Sequence, residues 1–297
     1  MSRFLDVRLQ PVGGSVASQV AHFQGDSIDN YTGITLTDLR NFIRGQHVLI
    51  GAHGFNVDRA DGILRLSGWE SLLQLPPASV FVGLIWPGDS TWAHGLDYPV
   101  EAGVADQAGQ RIASFIEANF GAVASLSFVS HSLGARVVLS TISNMKHHVR
   151  RLMLMAGAID NNCLTNEFSN VADSVDTISA LASLGDTLLS GIFPLGNFFA
   201  GVLDEGHPWV RAALGHRGPA ATPPSNFVFP YQIPDNWSYD HGDYLNLQSQ
   251  PPPSWPLPTD VPGNGTIPPA PLAGAGASEI AGWRAAFSAA FASTRFR

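Results

Sequence analysis

The stretch that decides the fold occupies residues 125–141 and reads SLSFVSHSLGARVVLST. The composition of its first six residues predicts a buried strand, and a helix is expected to begin at Leu133 with no loop between them. A nucleophilic serine at such a junction must hold its hydroxyl clear of the sheet, which forces a sharp and strained turn. The residues two before and two after it must be small, as Ser130 and Gly134 are. The stretch therefore predicts a nucleophile at Ser132.

The pattern departs from the usual G-x-S-x-G at one position, because serine stands where the first glycine is expected. The helix that opens at Leu133 would direct its N-terminal N–H groups toward developing negative charge, which acyl transfer requires. A serine-rich turn in an ordinary strand–helix unit is the alternative interpretation. The position between a strand and an immediate helix favours the nucleophile.

A second segment, HVLIGAHGFNV at residues 47–57, predicts an apolar strand that ends in a glycine turn. Acyl transfer is helped by N–H donors aimed at the anion of the tetrahedral intermediate, and glycine lets the backbone approach closely. One donor is expected from the residue after the nucleophile, Leu133. The second is expected from Phe55, with Asn56 as a further candidate. A glycine turn with a packing histidine is the alternative interpretation.

Strand-like and helix-like runs alternate through the first two-thirds of the chain, and this rhythm predicts an α/β fold with a mostly parallel sheet covered on both faces. Strands are predicted at Leu5–Leu9, His47–Ala52, Ser79–Trp86, Ser125–Ser130, Val149–Ala156, Thr177–Leu184 and Asn226–Gln232. Helices are predicted at Val100–Phe120, Leu133–Met145 and Ser278–Phe291.

Together, HGFN after one strand and SHSLG between a strand and a helix resemble the α/β-hydrolase fold, and more narrowly bacterial esterase-like and lipase-like serine hydrolases of poorly defined function. The segments WPG at 86–88 and MAGAID at 155–160 are similar to segments of the same group. The likeness covers about residues 40–245. It implies a central, mostly parallel sheet flanked by helices, and a serine, an acid and a histidine in that order along the chain.

Of the ten histidines, only His207, His216 and His241 fall well after the predicted nucleophile and its supporting strands. His241 follows the last predicted strand and stands in SYDHGDYL, which has the polar, glycine-containing character of an exposed loop end. The HGDYL segment also resembles the histidine loop of the same families. His241 is therefore the expected general base, with an ordinary loop histidine as the alternative.

The acid must hold the imidazole in one tautomer and stabilise the imidazolium, so it should end a strand beside the histidine loop. Asp186 follows a predicted strand through Gly185, in a context similar to the acid loop of the family. Asp160 ends the preceding strand and is the alternative, because some hydrolases place the acid there. The order of the three residues along the chain favours Asp186.

The composition excludes several classes of protein. The chain has 297 residues, 45% hydrophobic and 13% charged, so it can bury a large core and is not disordered as a whole. A net charge of −8 without a long basic run argues against a nucleic-acid partner. Cys163 is the only cysteine, so neither an internal disulfide nor a cysteine-based zinc site is expected. A calcium site at Asp235, Asp240 and Asp243 is not expected, because these residues lack calcium-ligand spacing. A serine, an acid and a histidine need no metal or organic cofactor for acyl transfer, so none is expected.

A single α/β-hydrolase domain is expected over residues 1–250, followed by a Pro/Gly/Ala-rich extended segment at 251–277 and a C-terminal helix at 278–297 docked on the core. Only Asn161–Asp176 lie where cap domains are often inserted, so no large cap domain is expected. With no signal peptide and no apolar window of about 18 residues, a cytoplasmic protein without a transmembrane segment is expected, although a truncated secreted form stays open. The oligomeric state is left open.

These features predict a serine hydrolase that cleaves carboxylic esters, small or lipid-like, through an acyl-enzyme. Acyl transfer, amide cleavage and lipolysis by the same three residues remain alternatives, as does a non-catalytic binding protein of the same fold. Asn56, His131 and Trp92 are candidates for substrate binding. The apolar segment Thr187–Leu203 either supplies an acyl pocket or packs on the sheet.

Overall fold

The computed structural model describes residues 1–89, 98–191, 212–223, 227–245 and 276–296. They form a nine-stranded sheet with the strand order β3-β2-β1-β5-β4-β6-β7-β8-β9. The strands are β1 (Ser2–Arg8), β2 (Val16–Ser27), β3 (Asn30–Gly33), β4 (His47–Ala52), β5 (Ser79–Ile85), β6 (Ser125–His131), β7 (Val149–Met155), β8 (Val175–Ser183) and β9 (Phe227–Ile233). The helices are α1 (Leu36–Ile43), α2 (Arg59–Leu72), α3 (Tyr98–Asn119), α4 (Gly134–Ser143), α5 (Leu214–Arg217) and α6 (Ala277–Phe296).

The predicted α/β fold with a mostly parallel sheet is confirmed. Strands β1 and β4 to β9 run in one direction, and only β2 and β3 pair antiparallel with their neighbours. Strands β4 to β9 lie within two residues of their predicted bounds. β9 is an edge strand, which explains why it tolerates Pro230, a residue that cannot donate a ladder hydrogen bond.

The N-terminal part of the sheet was only partly predicted. β1 begins at Ser2 rather than Leu5, because its first residues pair with Gly25 and its neighbours on β2. No strand was predicted for β2 or β3. β2 is a strand in which half-buried and exposed positions alternate irregularly, so it lacks the clean period of two by which a strand is recognised.

The helices bury apolar faces against the sheet. On α3 the residues Ala108, Ile112 and Ile116 are fully buried, as their spacing of four predicts. On α6 the stripe Trp283, Phe287 and Phe291 is likewise buried. No helix among the described residues is long and apolar enough to cross a membrane.

Because β1 and β4 to β9 are parallel, their carboxyl ends meet at one edge of the sheet, where binding sites of such folds form. Between β7 and β8, where every residue is described, only two short 3₁₀ helices intervene, at Cys163–Thr165 and Ser169–Ser174. No cap domain therefore interrupts the chain at that point. Two loops at this edge are used below: the HGFN loop (residues 53–57) after β4 and the WPG loop (residues 86–89) after β5.

Candidate active site

Ser132 lies at the turn between β6 and α4, in the strained conformation that the sequence predicts. Its φ of 55° is in the left-handed region, which a non-glycine residue adopts at an energetic cost. The turn is fastened to β7 by two hydrogen bonds, from Ser132 N–H to Met155 O (3.0 Å) and from Ala158 N–H to Ser132 O (3.1 Å). These bonds hold the strained residue in place.

Gly134 explains why the turn can approach the neighbouring strand. A Cβ added to Gly134 would lie 2.4 Å from His53 O and 2.9 Å from Ala52 O. Any side chain would therefore collide with the backbone at the end of β4. Ser130, on the other side of the nucleophile, is 1% exposed and leaves little room for a larger side chain.

The three predicted residues Ser132, His241 and Asp186 lie in one chain of hydrogen bonds. The His241 Nδ1–H group donates to Asp186 Oδ2 over 2.7 Å, and the Ser132 hydroxyl donates to His241 Nε2 over 2.8 Å. Asp186 is completely buried, and its Oδ1 accepts from Leu189 N–H over 2.9 Å. Both carboxylate oxygens are thus engaged, so the orientation of the acid is determined.

The alternative acid lies elsewhere. Asp160 follows β7 and forms an isolated β-bridge with Ala213. Both ring nitrogens of His241 are engaged, one by Asp186 and one by Ser132. The geometry therefore favours Asp186 over Asp160 as the partner of the imidazole.

The loop that carries His241 is held by its own acidic residues. Asp240 Oδ1 accepts from the N–H groups of Thr187 (3.0 Å) and His241 (2.8 Å). Burial pushes the pKa of Asp240 upward, but these hydrogen bonds outweigh it and hold that pKa below its ordinary value. Asp243 Oδ2 accepts from Asp240 N–H (2.7 Å) and from Arg284 of α6 (2.7 Å). These carboxylates organise a loop, and no group of three metal-ligating side chains occurs in the part of the chain described.

His131, predicted as a substrate-binding residue, lies behind His241. Its Nε2–H group donates to the backbone carbonyl of His241 over 2.9 Å, and the two rings are 4.9 Å apart. Burial lowers the pKa of His131 well below its ordinary value, and a positive charge on His241 would lower it further. A neutral His131 therefore helps to hold the loop that carries His241 through this hydrogen bond.

The HGFN loop lies directly beside the nucleophile. A Cβ on Gly54 would be 2.7 Å from Ser132 Cβ and 3.0 Å from His131 Nδ1, so only glycine fits. Within the described residues, the N–H groups of Phe55 and Leu133, the two predicted donors, have no hydrogen-bond acceptor. The N–H of Asn56 is already used, because it donates to Gly88 O over 2.6 Å. Asn56 is exposed and has a φ of 55°.

His53 and Trp86 support the HGFN loop in a way that the sequence did not reveal. His53 Nδ1–H donates to Gly54 O (2.9 Å), and its Nε2 accepts from Trp86 N–H (3.3 Å). Trp86 Nε1–H donates to His53 O (2.9 Å), and the rings stack at 5.7 Å. Burial lowers the pKa of His53 to about 3, so the ring is neutral, as this pattern requires. The only signal in the sequence was a histidine directly after β4 and a tryptophan directly after β5.

Some predicted residues lie outside the described part of the chain. Trp92 is one, and residues 192–203 of the apolar segment are others. Before them, Leu188 is exposed and Leu189 is buried. Cys163 is buried, and burial raises the pKa of its thiol to about 12, which makes it unreactive.

Comparison with known proteins gives one family match. Over residues 34–191, slightly more than half of the chain, the sequence matches a family described as alpha/beta hydrolase of unknown function (DUF900). This span includes Ser132 and Asp186 but neither β1 nor His241. No curated protein sequence matches the chain.

Several solved structures are similar at low identity. Acetyl xylan esterase 1 from a Thermoanaerobacterium species is 12% identical, with 76% of each chain covered and a TM-score of 0.39. Esterase PE8 is 15% identical, with 67% of this chain and 86% of that chain covered and a TM-score of 0.38. The catalytic core domain of acetyl xylan esterase from Trichoderma reesei is 11% identical, with 65% and 84% covered and a TM-score of 0.34.

Proposed function

Because the chain belongs to the family described as alpha/beta hydrolases of unknown function, we propose that it is a serine hydrolase that cleaves carboxylic esters through an acyl-enzyme. The observation that carries the proposal is the chain of hydrogen bonds from Asp186 through His241 to Ser132, at 2.7 and 2.8 Å. A serine hydroxyl is a weak nucleophile until a base within hydrogen-bond reach can take its proton. That base is present and is itself oriented by a buried carboxylate.

In the proposed mechanism, Ser132 Oγ attacks the carbonyl carbon of the ester while its proton passes to His241 Nε2. The imidazolium that forms is stabilised by Asp186, which stays ionised. The anion on the carbonyl oxygen is stabilised by the N–H groups of Phe55 and Leu133, the latter at the start of the ten-residue helix α4.

His241 then gives the proton to the alcohol as the bond between the carbonyl carbon and the alcohol oxygen breaks. A water molecule attacks the acyl-enzyme while His241 takes its proton, and Ser132 leaves with that proton as the acid is released. No cofactor or metal ion is required by these steps.

The first test removes the nucleophile. Ser132→Ala is expected to lower the turnover of short nitrophenyl esters by about 10⁴-fold or more, since the members of such a triad act as one unit. The far-ultraviolet circular dichroism and the melting temperature should stay close to those of the wild type. Turnover that survives the substitution would overturn the proposal, and so would failure of a fluorophosphonate probe to label Ser132 in the wild type.

A matched pair tests the acid. Asp186→Asn is expected to lower kcat by about 10⁴-fold, because the amide favours the wrong tautomer of the imidazole. Asp160→Asn removes a carboxylate at the end of the adjacent strand and is expected to leave kcat within a factor of about three. The reverse result would assign the acid role to Asp160.

The ester substrate is distinguished from related chemistry by a comparison of substrates. Nitrophenyl esters of increasing acyl length, the matching anilides, and an added alcohol acceptor separate ester hydrolysis from lipolysis, amide cleavage and acyl transfer. Binding of esters without turnover would indicate a non-catalytic protein of this fold.

A further inference from the structure

Arg8, at the end of β1, takes no part in the steps above, yet its side chain is fully buried. We propose that Arg8 is a positioning residue, which holds the HGFN loop against Ser132 through the WPG loop and so sets the position of the Phe55 N–H donor. This inference rests on the proposed function. It concerns a residue that lies outside the span of the family match.

The guanidinium of Arg8 joins three segments of the chain. Its Nη1 donates to Val57 O (3.1 Å), at the end of the HGFN loop, and to Trp86 O (3.0 Å), at the start of the WPG loop. The Nη2 group is paired with Asp89, at the other end of the WPG loop. Nη2 and Nε also donate to backbone carbonyls of residues 10–13, the segment that follows β1.

The WPG loop in turn contacts the HGFN loop along its length. Gly88 O accepts from Asn56 N–H (2.6 Å), and Trp86 Nε1–H donates to His53 O (2.9 Å). A Cβ on Gly88 would lie 3.1 Å from Gly54 O, so the two loops are in close contact. Phe55 therefore lies between His53 and Asn56, and a backbone group of each is hydrogen-bonded to the WPG loop.

The number and the directions of these hydrogen bonds favour an arginine at position 8. A guanidinium has five N–H groups in a rigid planar fork, so it can donate to carbonyls on several loops at once, whereas the ammonium of a lysine is a compact point with three donors. The charge is compensated by Asp89, whose side chain is 9% exposed and whose Oδ2 also accepts from Gly13 N–H (2.9 Å). A buried guanidinium without this partner would strongly destabilise the fold.

Small movements of this loop should matter for the proposed reaction. Stabilisation of the tetrahedral anion depends on donors held about 3 Å from the oxygen, and the loss of one donor lowers kcat by about 10²- to 10³-fold. A displacement of about 1 Å can lower the rate by about 10²-fold. Partial release of the HGFN loop is therefore expected to lower kcat more than it raises KM.

The test compares Arg8→Lys and Arg8→Met with the wild type on a short nitrophenyl ester. The expected result is a decrease in kcat of about 10-fold for lysine and about 100-fold for methionine, with KM changed by less than about threefold. Phenylboronic acid, which forms a tetrahedral adduct with an active-site serine, should lose affinity by the same factor as kcat/KM. A residue that only stabilised the fold would lower the melting temperature without this parallel.

Arg59→Met is the matched control. Arg59 is paired with Asp6 (2.8 Å) and donates to Arg8 O (3.0 Å), so it supports the same strand end without donating to either loop. It is expected to lower the melting temperature while kcat stays within about threefold of the wild type. Equal effects of Arg59→Met and Arg8→Met on kcat would overturn the inference.

Trp86→Phe gives a second route that leaves Arg8 intact if Arg8→Met does not fold. It replaces the indole by a smaller aromatic ring and removes the hydrogen bond to His53 O, and kcat should fall by about 3- to 10-fold at unchanged KM. An unchanged kcat in both Arg8→Lys and Trp86→Phe would overturn the inference while the function stands. A wild type that neither hydrolyses esters nor reacts with a fluorophosphonate would overturn the proposed function itself.

Discussion

The HGFN loop and the loop that carries His241 approach Ser132 from opposite sides of β6, and they are held in different ways. The HGFN loop is held by directional polar contacts, from Arg8 and from Trp86. The His241 loop is packed against α6 mainly by a cluster of aromatic rings, to which one ion pair and a few hydrogen bonds from α6 are added. Hydrogen bonds define positions, whereas aromatic packing supplies mainly apolar burial.

Because the two loops are held differently, we expect substitutions on the two sides of Ser132 to affect activity and stability in a different order. On the HGFN side, changes that weaken these hydrogen bonds, such as Arg8→Lys and Trp86→Phe, should reduce the proposed activity before they reduce stability, because the position of the Phe55 N–H depends on the bonds. On the His241 side, changes should reduce stability first, because the packing of α6 holds both the loop and the core. Three predictions test this comparison, from the largest effect to the smallest.

The largest effect is expected from Phe287→Ala on α6. Phe287 is fully buried, with its ring 5.2 Å from that of Trp237 and 6.1 Å from that of Tyr239, both just before His241. Removal of the ring leaves a cavity, and the free energy of unfolding should fall by about 3–5 kcal/mol, measured by urea denaturation.

Phe120→Ala is the control for the cavity. Phe120 is also fully buried but precedes β6, at the opposite end of the sheet from Ser132. A similar loss of stability is expected there, with kcat unchanged well below the melting temperature, whereas Phe287→Ala should also lower kcat. If both variants kept the same kcat, α6 would not support the His241 loop.

The second prediction concerns the ion pair between α6 and the His241 loop. Arg284 donates to Asp243 Oδ2 (2.7 Å) and to Trp237 O (2.7 Å). Arg284→Met keeps the apolar stem and removes these charged hydrogen bonds, and should destabilise the fold by about 1.5–3 kcal/mol at pH 7. Thermal or urea unfolding measures the loss.

The pH dependence of this loss has a definite sign. Burial already raises the pKa of Asp243 in the folded protein, and removal of the guanidinium should raise it further. A folded state that binds the proton more tightly than the unfolded state becomes more stable as pH falls toward that raised pKa. The difference between wild type and Arg284→Met should therefore shrink from pH 7 to pH 4, and Asp243→Asn in the same variant should recover part of it. A difference that grew on acidification would contradict this account.

The sequence carries signals for the three residues that the structure brings together, but none for the contacts that support their loops. Ser132 could be recognised because its strand, turn and helix are contiguous, and Asp186 and His241 because each follows a strand at the same edge. The sheet from β4 to β9 could be recognised because its strands are continuous apolar runs.

The supports of the two loops could not be predicted, and the reason is physical. Arg8 donates to carbonyls 49 and 78 residues away, and backbone acceptors carry no signal in the sequence. From the sequence alone, a buried arginine at the end of a strand cannot be distinguished from an exposed one. Likewise, nothing in the sequence indicates that His131 donates a hydrogen bond to the backbone carbonyl of His241, 110 residues away.

The effect that is smallest at neutral pH concerns the HGFN side, where the titration of His53 lowers stability only in acid. Burial lowers the pKa of His53 to about 3 in the folded protein, while the unfolded chain titrates near the ordinary value of about 6.5. Between these pH values the unfolded state binds the extra proton, so stability falls as pH falls from about 6.5 toward 3, by at most about 1.4 kcal/mol per pH unit for this group. His53→Asn retains a donor near the position of Nδ1 and removes the titration. Urea unfolding between pH 4 and pH 7 should then show a shallower loss of stability than in the wild type.

His131→Asn is the paired variant on the other side of Ser132, because burial lowers the pKa of His131 as well. If both substitutions flatten the pH dependence, acid lability is common to the two sides, and only the means of support differs between them. If His53→Asn retains the slope of the wild type, then His53 is already protonated in the folded protein at mild acid pH. In that case its Nε2 could not accept from Trp86 N–H, and the polar link between the two loops would be weaker than the geometry indicates.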